Sequence, residues 1–127
     1  MCNRPSRGTV LVIDDDESIR ELITFALEDD GYTVVCAPEG ETALRVLPEL
    51  DPDVILLDSR MPVIDGRDFA RAYRDSGAAR APLIILTAVE DPESAAAEVG
   101  ADAYLSKPFD LADLSSTVGR FLPENAG

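Results

Sequence analysis

The sequence predicts an α/β domain built on a five-stranded parallel sheet with helices on both faces, and three observations predict it. Short apolar runs alternate with helical stretches five times along the chain, and parallel neighbours need such helical crossovers. The runs at Thr9–Ile13, Val54–Leu57 and Leu83–Leu86 are apolar without interruption, as strands covered on both faces are. No internal repeat, low-complexity tract or interdomain linker breaks the 127 residues, a length that fits one core and buries roughly two thirds of its unfolded surface.

The first run, Thr9-Val10-Leu11-Val12-Ile13, stops abruptly at Asp14-Asp15-Asp16-Glu17. From Ser18 the period changes. Ile19, Leu22, Ile23, Ala26 and Leu27 form an amphipathic helical stripe, with Gly31 placed as its stop. Tyr32–Ala37 reads as the second strand, followed by a short helical segment in which Ala43, Leu44 and Leu47 share a face before Pro48 weakens it. Pro52-Asp53 breaks the chain ahead of the central strand, Val54-Ile55-Leu56-Leu57-Asp58. Beyond Asp65-Gly66, Phe69, Ala70 and Tyr73 mark a third helix, while Arg67, Arg71 and Arg74 line another side, read as a solvated face balanced by Asp68 and Asp75. Leu83-Ile84-Ile85-Leu86 ends on Thr87, and an alanine-rich helix started by Pro92 spans Glu93 to Glu98. Ala103-Tyr104-Leu105-Ser106 is the fifth and weakest strand and ends on Lys107-Pro108. In the last helix Asp110 is the N-cap candidate, and Leu111, Leu114, Val118 and Phe121 are the apolar stripe. Residues 1–8 and 123–127 read as tails around a domain at 9–122.

Composition excludes several functions. The chain has 25 acidic and 11 basic side chains, a formal charge of −14, which repels nucleic acid and anionic membranes. Cys2 and Cys36 give no disulfide or metal spacing, and there is no histidine. No signal peptide or long apolar span is legible, so the expected compartment is the cytoplasm.

The side chains at the carboxyl ends of the strands carry the chemistry. Asp14 and Asp15 follow the first strand, Asp58 the third, Thr87 the fourth and Lys107 the fifth. A parallel sheet gathers its strand ends on one rim, where ligands bind; the sequence chooses what is gathered. Three carboxylates there repel one another by roughly 4 kcal/mol per pair at an intermediate dielectric, so a cation is expected. Few, hard oxygen ligands suit Mg²⁺ or Mn²⁺. Lys107 is the one lysine beside ten arginines; it and Thr87 would donate to an incoming phosphoryl group. Each also has a plain reading: Asp58 as the cap of a turn, Asp14–Glu17 as an acidic first turn favoured by the helix dipole, Thr87 as a turn hydroxyl, Lys107 as a surface charge.

These residues resemble the receiver domain of two-component response regulators, over the chain from about Thr9 to Leu122. The resemblance rests on Val10-Leu11-Val12-Ile13-Asp14-Asp15-Asp16, Leu56-Leu57-Asp58-Ser59-Arg60-Met61-Pro62 with Asp65-Gly66, Leu86-Thr87-Ala88, Gly100-Ala101-Asp102 and Lys107-Pro108-Phe109, in that order. It implies a doubly wound, flavodoxin-like sheet of strand order 2-1-3-4-5 and a single domain like the chemotaxis regulators. It further implies a phosphoacceptor signalling domain rather than an enzyme acting on other substrates. Asp58 would take a phosphoryl group from a histidine of a sensor kinase or a histidine phosphotransfer protein. Asp15 would bind Mg²⁺ directly, Asp14 through water, Asp58 by its carboxylate and Arg60 by its backbone carbonyl. Lys107 and Thr87 would hold the phosphoryl oxygens, and Ala88 would leave them room. Thr87 and Tyr104 would form a switch that alters the surface of the fourth helix, fifth strand and fifth helix, read by a downstream target, an output domain or a second copy of the chain. Tyr104 could equally be an edge aromatic with its hydroxyl in water. A cis bond at Lys107–Pro108 is implied as well, and Arg60 and Val89 would tune dephosphorylation.

Other classes stay open on the residues alone. An aspartyl-nucleophile phosphatase would want a second aspartate where Arg60 stands. A flavin or nucleotide module would want a glycine loop after the first strand. A receiver fold without phosphorylation would be a docking surface only.

Overall fold

The computed structural model describes residues 7–58, 66–75 and 81–122. Five strands, β1 (Thr9–Ile13), β2 (Thr33–Ala37), β3 (Val54–Asp58), β4 (Leu83–Thr87) and β5 (Ala103–Ser106), alternate with five helices, α1 (Glu17–Asp29), α2 (Gly40–Leu50), α3 (Gly66–Asp75), α4 (Pro92–Val99) and α5 (Leu111–Phe121). All pairings are parallel, in the order β2-β1-β3-β4-β5. The expected fold is the one observed.

Alternation along the central strands divides the core in two. Leu11, Ile13, Ile55, Leu57, Leu83 and Ile85 face α2, α3 and α4 and pack on Phe69, Tyr73, Leu47 and Val99. Val10, Val12, Val54, Leu56, Ile84 and Leu86 face α1 and α5 and pack on Ile23, Leu27, Leu114 and Val118. Both faces of β3, β4 and β1 past Thr9 are thus dry, which is why Val10–Ile13, Val54–Leu57 and Leu83–Leu86 contain no polar residue.

The helices begin where short polar side chains accept from free N–H groups. Asp16 accepts from the N–H groups of Ser18 and Ile19, Asp91 from Ser94 and Asp110 from Asp113. Helix α2 runs through Pro48 to Leu50, past the point where the proline was expected to weaken it. Ala43 and Leu47 bury in the core and Leu44 and Leu50 pack against it, which offsets the one hydrogen bond that proline removes.

One expectation on α3 is corrected. Arg71 is exposed and the Arg67 side chain lies outside the described residues, but Arg74 does not simply face water. Its Nη2 donates to the carbonyls of Val99 and Gly100, the latter at 2.8 Å, satisfying the last turn of α4. Gly100, the C-cap, has φ 69°, and a Cβ there would run into the Arg74 guanidinium. Gly100→Ala is therefore expected to lower stability by about 2 kcal/mol, from left-handed strain plus displacement of Arg74. In Arg74→Ala the same substitution should cost only the strain, a coupling that urea denaturation of the four proteins measures.

At the opposite rim from the strand tips, Arg7 and Gly8 are tied to the sheet. The Arg7 N–H donates to Gly31 O at 3.0 Å and Gly8 O accepts from Thr33 N–H at 2.9 Å. The Arg7 guanidinium lies 4.6 Å from the Tyr32 ring centroid, and Tyr32 Oη donates to Leu122 O at 3.2 Å. These contacts fasten the ends of the described chain to one another.

Candidate functional site

The carboxyl ends of β1, β3 and β5 bring Asp14, Asp15, Asp58 and Lys107 together. They line a cleft of about 400 Å³ with Asp16, Ala88 and Val89. Asp14 is fully buried and Asp58 is 6% exposed; Asp15 is exposed. One carboxylate oxygen from each lies within 4.8 Å of the other two. Lys107 Nζ stands 3.3 Å from Asp14 Oδ2 and 3.3 Å from Asp58 Oδ1.

Burial opposes the Lys107 charge, but the carboxylates of Asp58 and Asp14, and its hydrogen bonds to both, outweigh that and hold the ammonium above the ordinary lysine pKa of 10.5. Its folded pKa is raised, so its contribution to stability is fully present below that ordinary value and is lost as pH rises through the folded value. One cation against three carboxylates leaves the cleft negative.

The three acids after β1 have different duties. Asp16 is the N-cap of α1. Asp14 is held on all sides: its N–H donates to Ala37 O at 3.2 Å, Oδ1 accepts from Asp16 N–H at 2.9 Å, and its carbonyl accepts from Arg20 Nη1 at 2.8 Å. Asp15 alone points a carboxylate into the cleft with no hydrogen-bond partner among the described residues. Divalent cations of the Mg²⁺ type hold oxygens at about 2.1 Å, which sets neighbouring oxygens ~3 Å and opposite ones ~4 Å apart. Oxygens within 4.8 Å fit that spacing with a small closure or with water completing the set.

Thr87 and Tyr104 lie apart from the cleft lining. Thr87 is 1% exposed, and its Oγ1 accepts from Val89 N–H at 3.3 Å; its carbonyl accepts from Lys107 N–H at 2.7 Å. Tyr104 is 37% exposed and lines a separate groove with Glu93, Ala97 and Arg120. Register nevertheless relates them. Tyr104 pairs with Ile85 and Ser106 with Thr87, so Thr87 and Tyr104 are diagonal neighbours on one sheet face. Lys107–Pro108 is cis. Arg60 lies outside the described residues. Arg20, for which the sequence raised no expectation, is turned by the fold onto the Asp14 backbone carbonyl.

Comparison with known proteins gives the same answer from another direction. Residues 10–119 match the family model of the response regulator receiver domain. The regulatory protein AtoC of Escherichia coli is 38% identical over 115 residues, 89% of this chain and 25% of that protein. The DNA-binding response regulator MtrA of Mycobacterium tuberculosis is 38% identical over 122 residues, 94% of this chain and 52% of that one. The chain thus spans a quarter to a half of the curated relatives it matches. Among solved structures, the Vibrio cholerae chemotaxis response regulator CheY4 superposes with a TM-score of 0.84 at 36% identity, over 91% of this chain and 98% of that chain. The receiver domain of the sensor histidine kinase PA1611 from Pseudomonas aeruginosa, solved with a magnesium ion coordinated in its active site cleft, gives 0.82 at 30% identity, over 91% and 97%. No helix among the described residues is long and apolar enough to cross a membrane. Strand order, acid cleft and family match agree: the chain belongs to the response regulator receiver domain family.

Proposed function

We propose that Asp58 is the phosphoacceptor of this receiver domain and takes its phosphoryl group from a phosphohistidine of a sensor histidine kinase or histidine phosphotransfer protein. The observation that carries the proposal is the Lys107 ammonium 3.3 Å from the Asp58 carboxylate, at the edge of a three-carboxylate cleft open to solvent. An oxygen of Asp58 displaces the imidazole nitrogen from phosphorus, so one P–N bond is exchanged for one P–O bond. Mg²⁺, when bound, neutralises charge on the carboxylates and the transferring phosphoryl oxygens. Asp14, Asp15 and Asp58 would hold it, with the Arg60 carbonyl, and Mn²⁺ suits the same donors; the magnesium in the Pseudomonas receiver's active site cleft supports a cation in this cleft. Lys107 keeps a fixed positive charge where phosphoryl oxygens arrive, and Ala88 leaves them room. Thr87 Oγ1 would exchange its bond to Val89 N–H for one to the phosphoryl group. Its diagonal neighbour Tyr104 would then turn inward, a population shift that remodels the α4-β5-α5 surface for a downstream protein, an output domain or a second copy. The domain would work in the cytoplasm and turn over no substrate beyond its own acyl phosphate.

Incubation with Mg²⁺ and acetyl phosphate, followed by intact mass, tests the proposal. A gain of one phosphoryl group is expected; no gain at saturating donor would reduce the domain to a docking surface. Val89, 40% exposed in the cleft wall, offers no group to orient an attacking water, so the acyl phosphate should be comparatively long-lived. Val89→Glu is expected to shorten that lifetime several-fold, read as the decay of the phosphorylated mass after donor removal; Arg60 would act on the same step.

A further inference from the structure

We propose that Arg20 is a positioning residue that presets the Asp14–Asp15 loop for the divalent cation; this rests on the cleft being a cation site, as argued above. Arg20 leaves the first turn of α1, yet it turns back six residues along the chain, and its Nη1 donates to the Asp14 carbonyl at 2.8 Å. That choice is the telling point. Asp16 and Glu17 stand four and three residues before it, the spacings at which a helical arginine pairs with an acid, but neither comes within 4.0 Å as an ion pair, and Asp16 is committed to the cap. The guanidinium is half-buried and joins the helix to the tip of β1.

What it grips matters more than that it grips. The Asp14 N–H goes to Ala37 O and its Oδ1 to Asp16 N–H, so the Arg20 bond completes the fastening of this residue's backbone. The next residue, Asp15, has no hydrogen bond of its own among the described residues; its carboxylate sits within 4.8 Å of the other two because the backbone on either side is fixed. Groups that fix metal ligands from outside in this way typically change metal affinity ten- to a hundredfold, by about that order, when removed.

The sign of the effect separates positioning from charge. A guanidinium near the cleft repels a cation, so if Arg20 acted through its charge, removing it would tighten Mg²⁺ binding. If it acted by holding the loop, removing it would weaken binding. Isothermal titration of the full chain with MgCl₂, without phosphoryl donor, reads this directly. Arg20→Ala is expected to weaken Mg²⁺ binding about tenfold, and Arg20→Lys, which can still donate to the carbonyl, to recover part of that loss. Should Arg20→Ala fail to fold, Arg20→Met keeps the side-chain stem without a donor and is expected to show the same weakening. Unchanged or tighter binding in the folded variants overturns the proposal, as does a fall in metal-free thermal stability with affinity intact, which would make Arg20 a brace only. If the unaltered protein itself gives a flat titration, indistinguishable from Asp15→Asn, the cation site fails and this inference with it; Mg²⁺ binding of undiminished strength in Arg20→Ala leaves the site standing and removes only Arg20.

Discussion

Asp58→Asn is expected to abolish phosphoryl incorporation from acetyl phosphate and from a phosphohistidine donor, with no residual adduct by intact mass. The substitution is small but removes the nucleophile, because an amide oxygen cannot form the acyl phosphate. Folding should survive. Asparagine keeps an oxygen where Lys107 Nζ meets Asp58 Oδ1 at 3.3 Å, and it removes one of three like charges whose oxygens lie within 4.8 Å. Thermal unfolding without Mg²⁺ should therefore show a midpoint no lower than that of the unaltered protein. A lost adduct with intact folding assigns the chemistry to Asp58; an adduct that persists would move the acceptor elsewhere and sink the assignment.

The largest stability effect is expected at Phe69→Ala, a loss of about 3–5 kcal/mol in urea denaturation. Phe69 is fully buried and packs in the core between the sheet and α2, α3 and α4. Its ring lies 6.1 Å from that of Tyr73 at 11°, and Tyr73 Oη in turn accepts from Ala81 N–H at 2.9 Å. Truncation thus leaves a cavity and loosens the residue that holds the chain before β4. Domains of this size have roughly 5–15 kcal/mol in total, so about a fifth or more of the stability should go. Phe69→Leu, which fills much of the volume, is expected to lose far less.

Much of this was legible in the residues because a parallel sheet writes itself plainly. A strand dry on both faces must be apolar throughout, so β1, β3 and β4 declare themselves, and the side chain after each is delivered to one rim whatever the loops do. Asp14, Asp15, Asp58 and Lys107 are accordingly found together. The contacts that escaped are those in which a side chain seeks a backbone carbonyl. Arg20 on Asp14 and Arg74 on Val99 and Gly100 have no sequence signature, since every residue offers the same carbonyl; Arg74 was expected on a solvated face balanced by Asp68 and Asp75, and nothing singled out Arg20. Tyr104 differs, because its exposed place on an edge strand was one of the two readings its residues allowed. Its place on the sheet face beside Thr87 follows from strand register, which pairs residues far apart in sequence, while its outward side chain is set by the shallow covering of an edge strand.

The fastening of Arg7, Tyr32 and Leu122 at the far rim has a practical consequence. Five-residue strands separate that rim from the acid cleft by about 17 Å, and the helices between them are packed on two dry cores. Attachment of the protein to a sensor surface through this rim would leave the cleft facing solution. Capture of a phosphohistidine donor, and its release, could then be timed on the immobilised domain without the support competing for the face where they meet.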